Sequence, residues 1–218
     1  MNILALDTTS EYGSVALRSN GETAAELALH SREGFAHLIF SAIEDVLARA
    51  GIGIPEVDCF AATSGPGSFT GVRVGLAAVK GLAEAAGKRA VGVSNLQVLS
   101  SFGKKDRRAV VLDARRGDVY AAIYGPDLAP ITPELVLPFS SWLDALREPE
   151  YEFITTAGNP FWLALQGTRF ADMPFIEAPR SLAASVAGCA EACEWVDPAM
   201  LDANYVRRSD AELFWREG

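Results

Sequence analysis

Between Thr63 and Leu76 the chain reads T-S-G-P-G-S-F-T-G-V-R-V-G-L. An apolar run, Val57 to Ala62, enters this stretch and a run of small apolar residues leaves it. The glycines therefore lie between a predicted strand and a predicted helix, the place where α/β proteins keep their sites. Gly65, Gly67 and Gly71 open backbone angles closed to other residues, Pro66 fixes one more, and Ser68 and Thr70 offer hydroxyls to cap a helix. Common templates do not fit. A Walker loop fails because five residues separate Gly65 from Gly71 and Val72 stands where lysine is needed; the dinucleotide fingerprint fails because the last glycine is one residue too far. The G-x-S-x-G nucleophile elbow fails because Ser68 follows Gly67 directly. Two readings stay open: a tight turn that only packs, and an anion seat on the N–H groups that begin the helix.

Toward the N-terminus, Ile3 to Leu6 is an apolar run ended by Asp7-Thr8-Thr9-Ser10, Ser14 to Leu17 resumes the pattern, and Glu22 to His30 follows the hairpin signal Asn20-Gly21. Three antiparallel strands are predicted. Asp7 could hold Mg²⁺ through water, as hard carboxylate oxygens do; alternatively Asp7 and Thr8 close a turn by side chain to backbone bonds. From Phe35 the apolar positions Leu38, Ile39, Ile43, Val46 and Leu47 recur at helical spacing up to Gly51. His30 and His37 stand seven apart, whereas a helix presents two histidines to a metal at spacings of three or four. The helix predicted from Thr70 to Ala86 carries Gly71, Gly75, Ala78 and Gly81 near one face. Interior glycine costs about 1 kcal/mol against alanine, so a close neighbour, in the chain or across an interface, is expected there.

Further on, Arg89 to Val93 reads as a strand and Leu96 to Phe102 as a helix. The polar run Gly103 to Arg108 suggests a boundary that gives lobes 1–103 and 104–218, with the final helix free to return to the first lobe. Ala109 to Leu112, the turn Asp113 to Asp118, and Val119 to Tyr124 repeat the strand, Asp-containing turn and strand order of the N-terminus. Prolines at 126, 130, 133, 138 and 149 then keep elements short: a strand at Glu134 to Leu137, a helix from Ser140 to Leu146, a strand at Phe153 to Thr156 and a helix from Gly158 through Leu165. Ser181 to Trp195 reads as one last long helix.

Composition narrows the function classes. Nineteen basic against 28 acidic side chains give a net charge of −9, which repels a polyanion unless cations cluster on one face. The basic groupings are Lys104, Lys105, Arg107 and Arg108, then Arg115 and Arg116, then Arg207 and Arg208, and all three are expected to be solvated turn charges. Cys59, Cys189 and Cys193 are odd in number and without framework spacing, which points to a reducing, cytoplasmic compartment. Cys189 and Cys193 share a predicted helix face as core residues. The first apolar run stops at Asp7, too short for a signal peptide or membrane span.

The strings G-P-G-S-F-T-G-V-R-V-G, M-N-I-L-A-L-D-T-T-S and V-L-D-A-R-R-G-D-V-Y, in this order over most of the chain, resemble the bacterial TsaB (YeaZ) family. The resemblance implies an α/β, two-lobed fold of the actin, sugar-kinase and Hsp70 type, with mixed sheets flanked by helices. It also implies a non-catalytic subunit in the synthesis of threonylcarbamoyladenosine beside the tRNA anticodon. Such a subunit would bind a TsaD-like catalytic subunit, be joined by a TsaE-like ATPase, form a homodimer when alone and meet tRNA mainly through the complex, away from any membrane. On this reading the partner interface would include Leu38, Phe69, Val72, Arg73, Gly75 and Leu76. No cofactor is required, though ATP or ADP with Mg²⁺ could sit at the subunit boundary, gripped by Asp7, Thr8, Thr9, Ser64, Gly65, Pro66, Gly67 and Ser68. The alternative is a small ATP-binding phosphotransferase of the same superfamily; a peptidase is disfavoured because Ser68 and the two histidines show no triad logic.

Overall fold

The computed structural model describes residues 1–156 and 158–206, residues 158–160 by their backbone only. In chain order the elements are β1 (Asn2–Asp7), β2 (Tyr12–Ser19), β3 (Glu22–His30), α1 (Ile39–Ala50), β4 (Cys59–Gly65), α2 (Phe69–Ala86), β5 (Arg89–Ser94) and α3 (Asn95–Ser100). They continue with β6 (Arg108–Arg115), β7 (Asp118–Tyr124), β8 (Leu135–Pro138), α4 (Phe139–Ala145), β9 (Glu152–Thr155), α5 (Gly158–Leu165), β10 (Phe175–Glu177) and α6 (Ala183–Ala190). The chain divides into two compact units, Met1–Val98 with Pro179–Asn204 and a second built on Leu99–Ala178.

Each unit is a five-stranded mixed sheet flanked by helices. In the first the order is β3-β2-β1-β4-β5, with β1, β2 and β3 antiparallel and β4 and β5 parallel to β1. The second reads β8-β7-β6-β9-β10, with the same pattern of directions. The two sheets share one topology, so the echo of strand, Asp turn and strand in the sequence marks a repeated unit.

Strand alternation sets the first core. Leu4, Leu6, Val15, Leu17, Phe60 and Ala62 pack with Ile39, Ile43 and Val46 of α1 and Val72, Leu76 and Val79 of α2. Ile3 and Ala5 alternate to the opposite face, are fully buried, and lie where α6 packs on β1 and β2. In the second unit, β6, β7 and β9 meet α4 and α5 through an aromatic cluster in which Trp142 and Phe153 stand edge to face with ring centres 6.1 Å apart.

Four differences from the sequence reading have physical causes. Helix α1 begins at Ile39 rather than Phe35, because Leu38 N and Ile39 N both donate to Phe35 O and wind residues 36–38 into a turn. Helix α6 stops at Ala190, whose carbonyl accepts from the Trp195 indole at 2.9 Å; Val196 then pairs with Ala90 at the edge of β5. Cys193 consequently lies outside the helix, and its thiol donates to Cys189 O. Arg108 is buried rather than solvated: Nε donates to Lys105 O and Nη1 to Ser100 O, each at 3.0 Å. Arg207 and Arg208 lie outside the described residues. Among the described residues no helix is long and apolar enough to cross a membrane.

Candidate functional site

The Asp7 turn and the glycine-rich turn meet at the ends of β1 and β4, which pair in parallel. Asp7 is buried, and its Oδ1 accepts from Thr9 N (3.1 Å), Thr9 Oγ1 (2.7 Å) and Thr63 Oγ1 (2.8 Å). Burial pushes the Asp7 carboxyl above its usual range, against the lowering effect of the hydrogen bonds from Thr9 and Thr63. Thr9 Oγ1 in turn accepts from Asn95 Nδ2 at 2.6 Å, and the same amide group donates to Pro66 O at 2.8 Å. Asn95 thus ties the Asp7 turn to the glycine-rich turn from the start of α3. Its own Oδ1 is buried with no donor among the described residues.

The glycines fit this junction. A Cβ on Gly71 would lie 1.9 Å from Thr8 O, one on Gly75 2.6 Å from Thr8 Oγ1, and one on Gly67 2.8 Å from Thr9 O. Thr8 Oγ1 donates to Gly71 O at 2.7 Å and Ser68 N donates to Thr9 O at 2.7 Å. Ser68 Oγ caps α2 by accepting from Gly71 N. Ser64 O accepts from Asn204 N, and Gly65 takes φ +107° where a Cβ would lie 2.9 Å from Asn204 O. The eight residues named for phosphate therefore come together, tied to one another and to Thr63, Gly71, Asn95 and Asn204. Ser68 N and the Thr8 hydroxyl are engaged inside the chain.

The residues named for a partner interface separate by exposure. Phe69 is 45% exposed, with the Arg73 guanidinium 3.6 Å over its ring, and Leu38 is half-buried. Val72, Gly75 and Leu76 face the interior: Val72 and Leu76 belong to the core, and Gly75 is small because Thr8 presses on it. Gly81, by contrast, has nothing within 4 Å of an added Cβ. Phe40 is 55% exposed on α1.

The histidines do not combine: His30 stacks against Tyr12 with ring centres 4.7 Å apart, and His37 is an exposed turn residue. Among the described residues no group of three or more His, Cys, Asp or Glu side chains could hold a metal ion. Burial pushes the Cys59 thiol up to about 12, assisted by the charges of Asp58 and Cys193. Such a thiol is not a nucleophile at neutral pH. Sequence reasoning missed Thr63 and Asn95. Their only signal was position at the C-terminal ends of β4 and β5, where α/β sheets carry their sites.

A family model described as TsaD: tRNA N6-adenosine threonylcarbamoyltransferase matches residues 30–190. The tRNA threonylcarbamoyladenosine biosynthesis protein TsaB of Escherichia coli (strain K12) is 37% identical over 58% of this chain and 56% of its own length. The protein of the same name from Haemophilus influenzae is 38% identical over 55% and 52%. The match thus spans about half the length of these two relatives. A crystal structure from Pseudomonas aeruginosa, of an uncharacterized protein with similarity to peptidase YEAZ, superposes with a TM-score of 0.78 at 26% identity, covering 94% of this chain and 99% of that one. The chain belongs to the family that this model describes, and by sequence and fold its relatives there are the TsaB (YeaZ) proteins.

Proposed function

We propose that this chain is a non-catalytic scaffold subunit in the biosynthesis of threonylcarbamoyladenosine on tRNA, and that it acts by binding a TsaD-like catalytic subunit through its first unit. The observation that carries the reading is the state of α1 and α2: Phe40 and Phe69 stand exposed on them at 55% and 45%. Aromatic side chains beside an arginine are the residues that anchor protein interfaces. The junction of residues 7–9 with the glycine-rich turn then has a structural task, holding the start of α2 at a fixed angle to the sheet. A TsaE-like ATPase joins the pair, the isolated chain pairs with itself, and tRNA is met in the assembled complex. The relatives' names, which carry tRNA threonylcarbamoyladenosine biosynthesis, support the pathway.

Size exclusion with light scattering tests this on the chain alone and mixed with the catalytic subunit of the same organism. A heterodimer peak that replaces self-association is expected, and Phe69→Asp should abolish it. Independent elution of the two wild-type proteins would overturn the reading.

A further inference from the structure

The two units share one sheet topology, so α4 and α5 of the second unit stand where α1 and α2 stand in the first. The later pair is shorter. Helix α4 has 7 residues where α1 has 12, and α5 has 8 where α2 has 18. Between α4 and the segment that runs from α5 to Phe170 lies a concavity of about 550 Å³, a size that suits a small molecule.

Apolar and cationic groups meet in this concavity. Phe139, Leu143 and Phe170 line it, and all three belong to the aromatic and aliphatic cluster of the second unit. Arg147 and Arg169 line it as well, and the end of α4 holds both guanidiniums: Arg147 Nη1 donates to Asp144 O at 2.6 Å, and Arg169 Nη2 donates to Leu146 O. The Arg169 guanidinium carbon also lies 4.6 Å from the centre of the Phe170 ring. A guanidinium offers several N–H donors, so one such bond leaves most of each fork for a ligand. Asp144 is the acid that lines the same space, and neither arginine forms an ion pair with it or with another acid among the described residues. Glu148, the next acid along the chain, is taken by Arg107 at 3.3 Å. With Asp144 set against the two arginines, the concavity keeps a surplus of one positive charge.

We propose that this concavity binds a small organic monoanion with an aromatic ring, its carboxylate on the arginine forks and its ring on Phe139 and Leu143. Guanidinium forks match the two oxygens of a carboxylate. The single surplus charge selects a monoanion, because Asp144 repels a second negative charge on the ligand. Burying the ring supplies affinity that a bare inorganic anion lacks. The site lies wholly within the second unit and does not depend on the scaffold reading, which concerns α1 and α2.

The test is a fluorescence titration of the full chain with anilinonaphthalene sulfonate, an aromatic monoanion, followed by displacement with benzoate, benzyl alcohol, benzylamine and inorganic phosphate. Saturable binding is expected, with benzoate displacing the probe at concentrations about tenfold lower than the other three, since each of those lacks either the ring or the negative charge. R147Q/R169Q should weaken the probe about tenfold or more, and its Tm should stay near wild type because both side chains are exposed. Ala164→Trp fills the concavity from an exposed position on α5 while both cations remain, and should abolish binding. Wild-type protein that shows no saturable probe binding, or probe that benzoate does not displace, overturns the site. So does a folded R147Q/R169Q that binds the probe as wild type does. If that variant fails to fold, unchanged binding by Ala164→Trp overturns the site instead. Displacement by benzylamine as readily as by benzoate overturns the choice of an anion, and equal displacement by inorganic phosphate overturns the aromatic ring.

Discussion

Asp7 shows how burial and hydrogen bonding compete at one side chain. Three donors converge on a single oxygen, which favours the carboxylate, yet full burial dominates and raises the pKa above 3.8. The protonated form is therefore favoured more in the folded than in the unfolded chain. By linkage, the contribution of Asp7 to stability is greatest below its unfolded pKa and declines as pH rises through the folded one. Asp7→Asn keeps an acceptor for all three donors and removes the titration. Urea midpoints from about pH 3.5 to pH 7 should show the variant gaining steadily on the wild type and then running parallel to it. A difference that is constant with pH would refute the assignment. The turn at Asp7 was legible from the sequence because its bonds to Thr9 are local. Thr63 and Asn95 were not, because they reach it across 56 and 86 residues. Only the pairing of β1, β4 and β5 brings them together.

At the scale of elements, the legible features were those written in neighbouring residues. The Asn20-Gly21 hairpin, the Gly51 stop of α1 and the Ser68 start of α2 all lie where local chemistry places them. What escaped was termination and capping by distant groups. Helix α6 has no cap of its own: the buried hydroxyl of Ser14, on β2, accepts from Leu182 N at 3.1 Å and Ala183 N at 2.9 Å. No residue beside Ser181 announces this, and a serine inside an apolar strand gives no hint of a partner 168 residues away. Strand β10, only three residues long, was missed because so short a run carries no period. Ser14→Ala should cost about 1–2 kcal/mol, the value of a helix cap, since two N–H groups lose their acceptor in a dry site. Chemical denaturation measures the loss. Amide exchange should speed up in residues 182–190 more than in β1. Uniform exchange, with stability unchanged, would show that α6 does not depend on this cap.

For the whole molecule, the distinction between core and surface on α2 decides what mutagenesis can report. The partner interface implied by the resemblance groups Val72, Gly75 and Leu76 with Phe69, but Val72 is only 4% exposed and sits among the residues that join α2 to the sheet. A glutamate there would place an unpaired charge in the core, at a cost of several kcal/mol. Against a total stability of roughly 5–15 kcal/mol, that change threatens folding before it touches any interface. Phe69→Glu instead alters a residue that already meets solvent, so its stability should stay within about 0.5 kcal/mol of wild type. Thermal melts and light scattering together should therefore separate the two variants: Val72→Glu with a collapsed Tm, Phe69→Glu with a wild-type Tm and no complex with the catalytic subunit. If Phe69→Glu melts normally and still pairs normally, the exposed aromatic of α2 is not an anchor, and pairing must use a different surface of the chain.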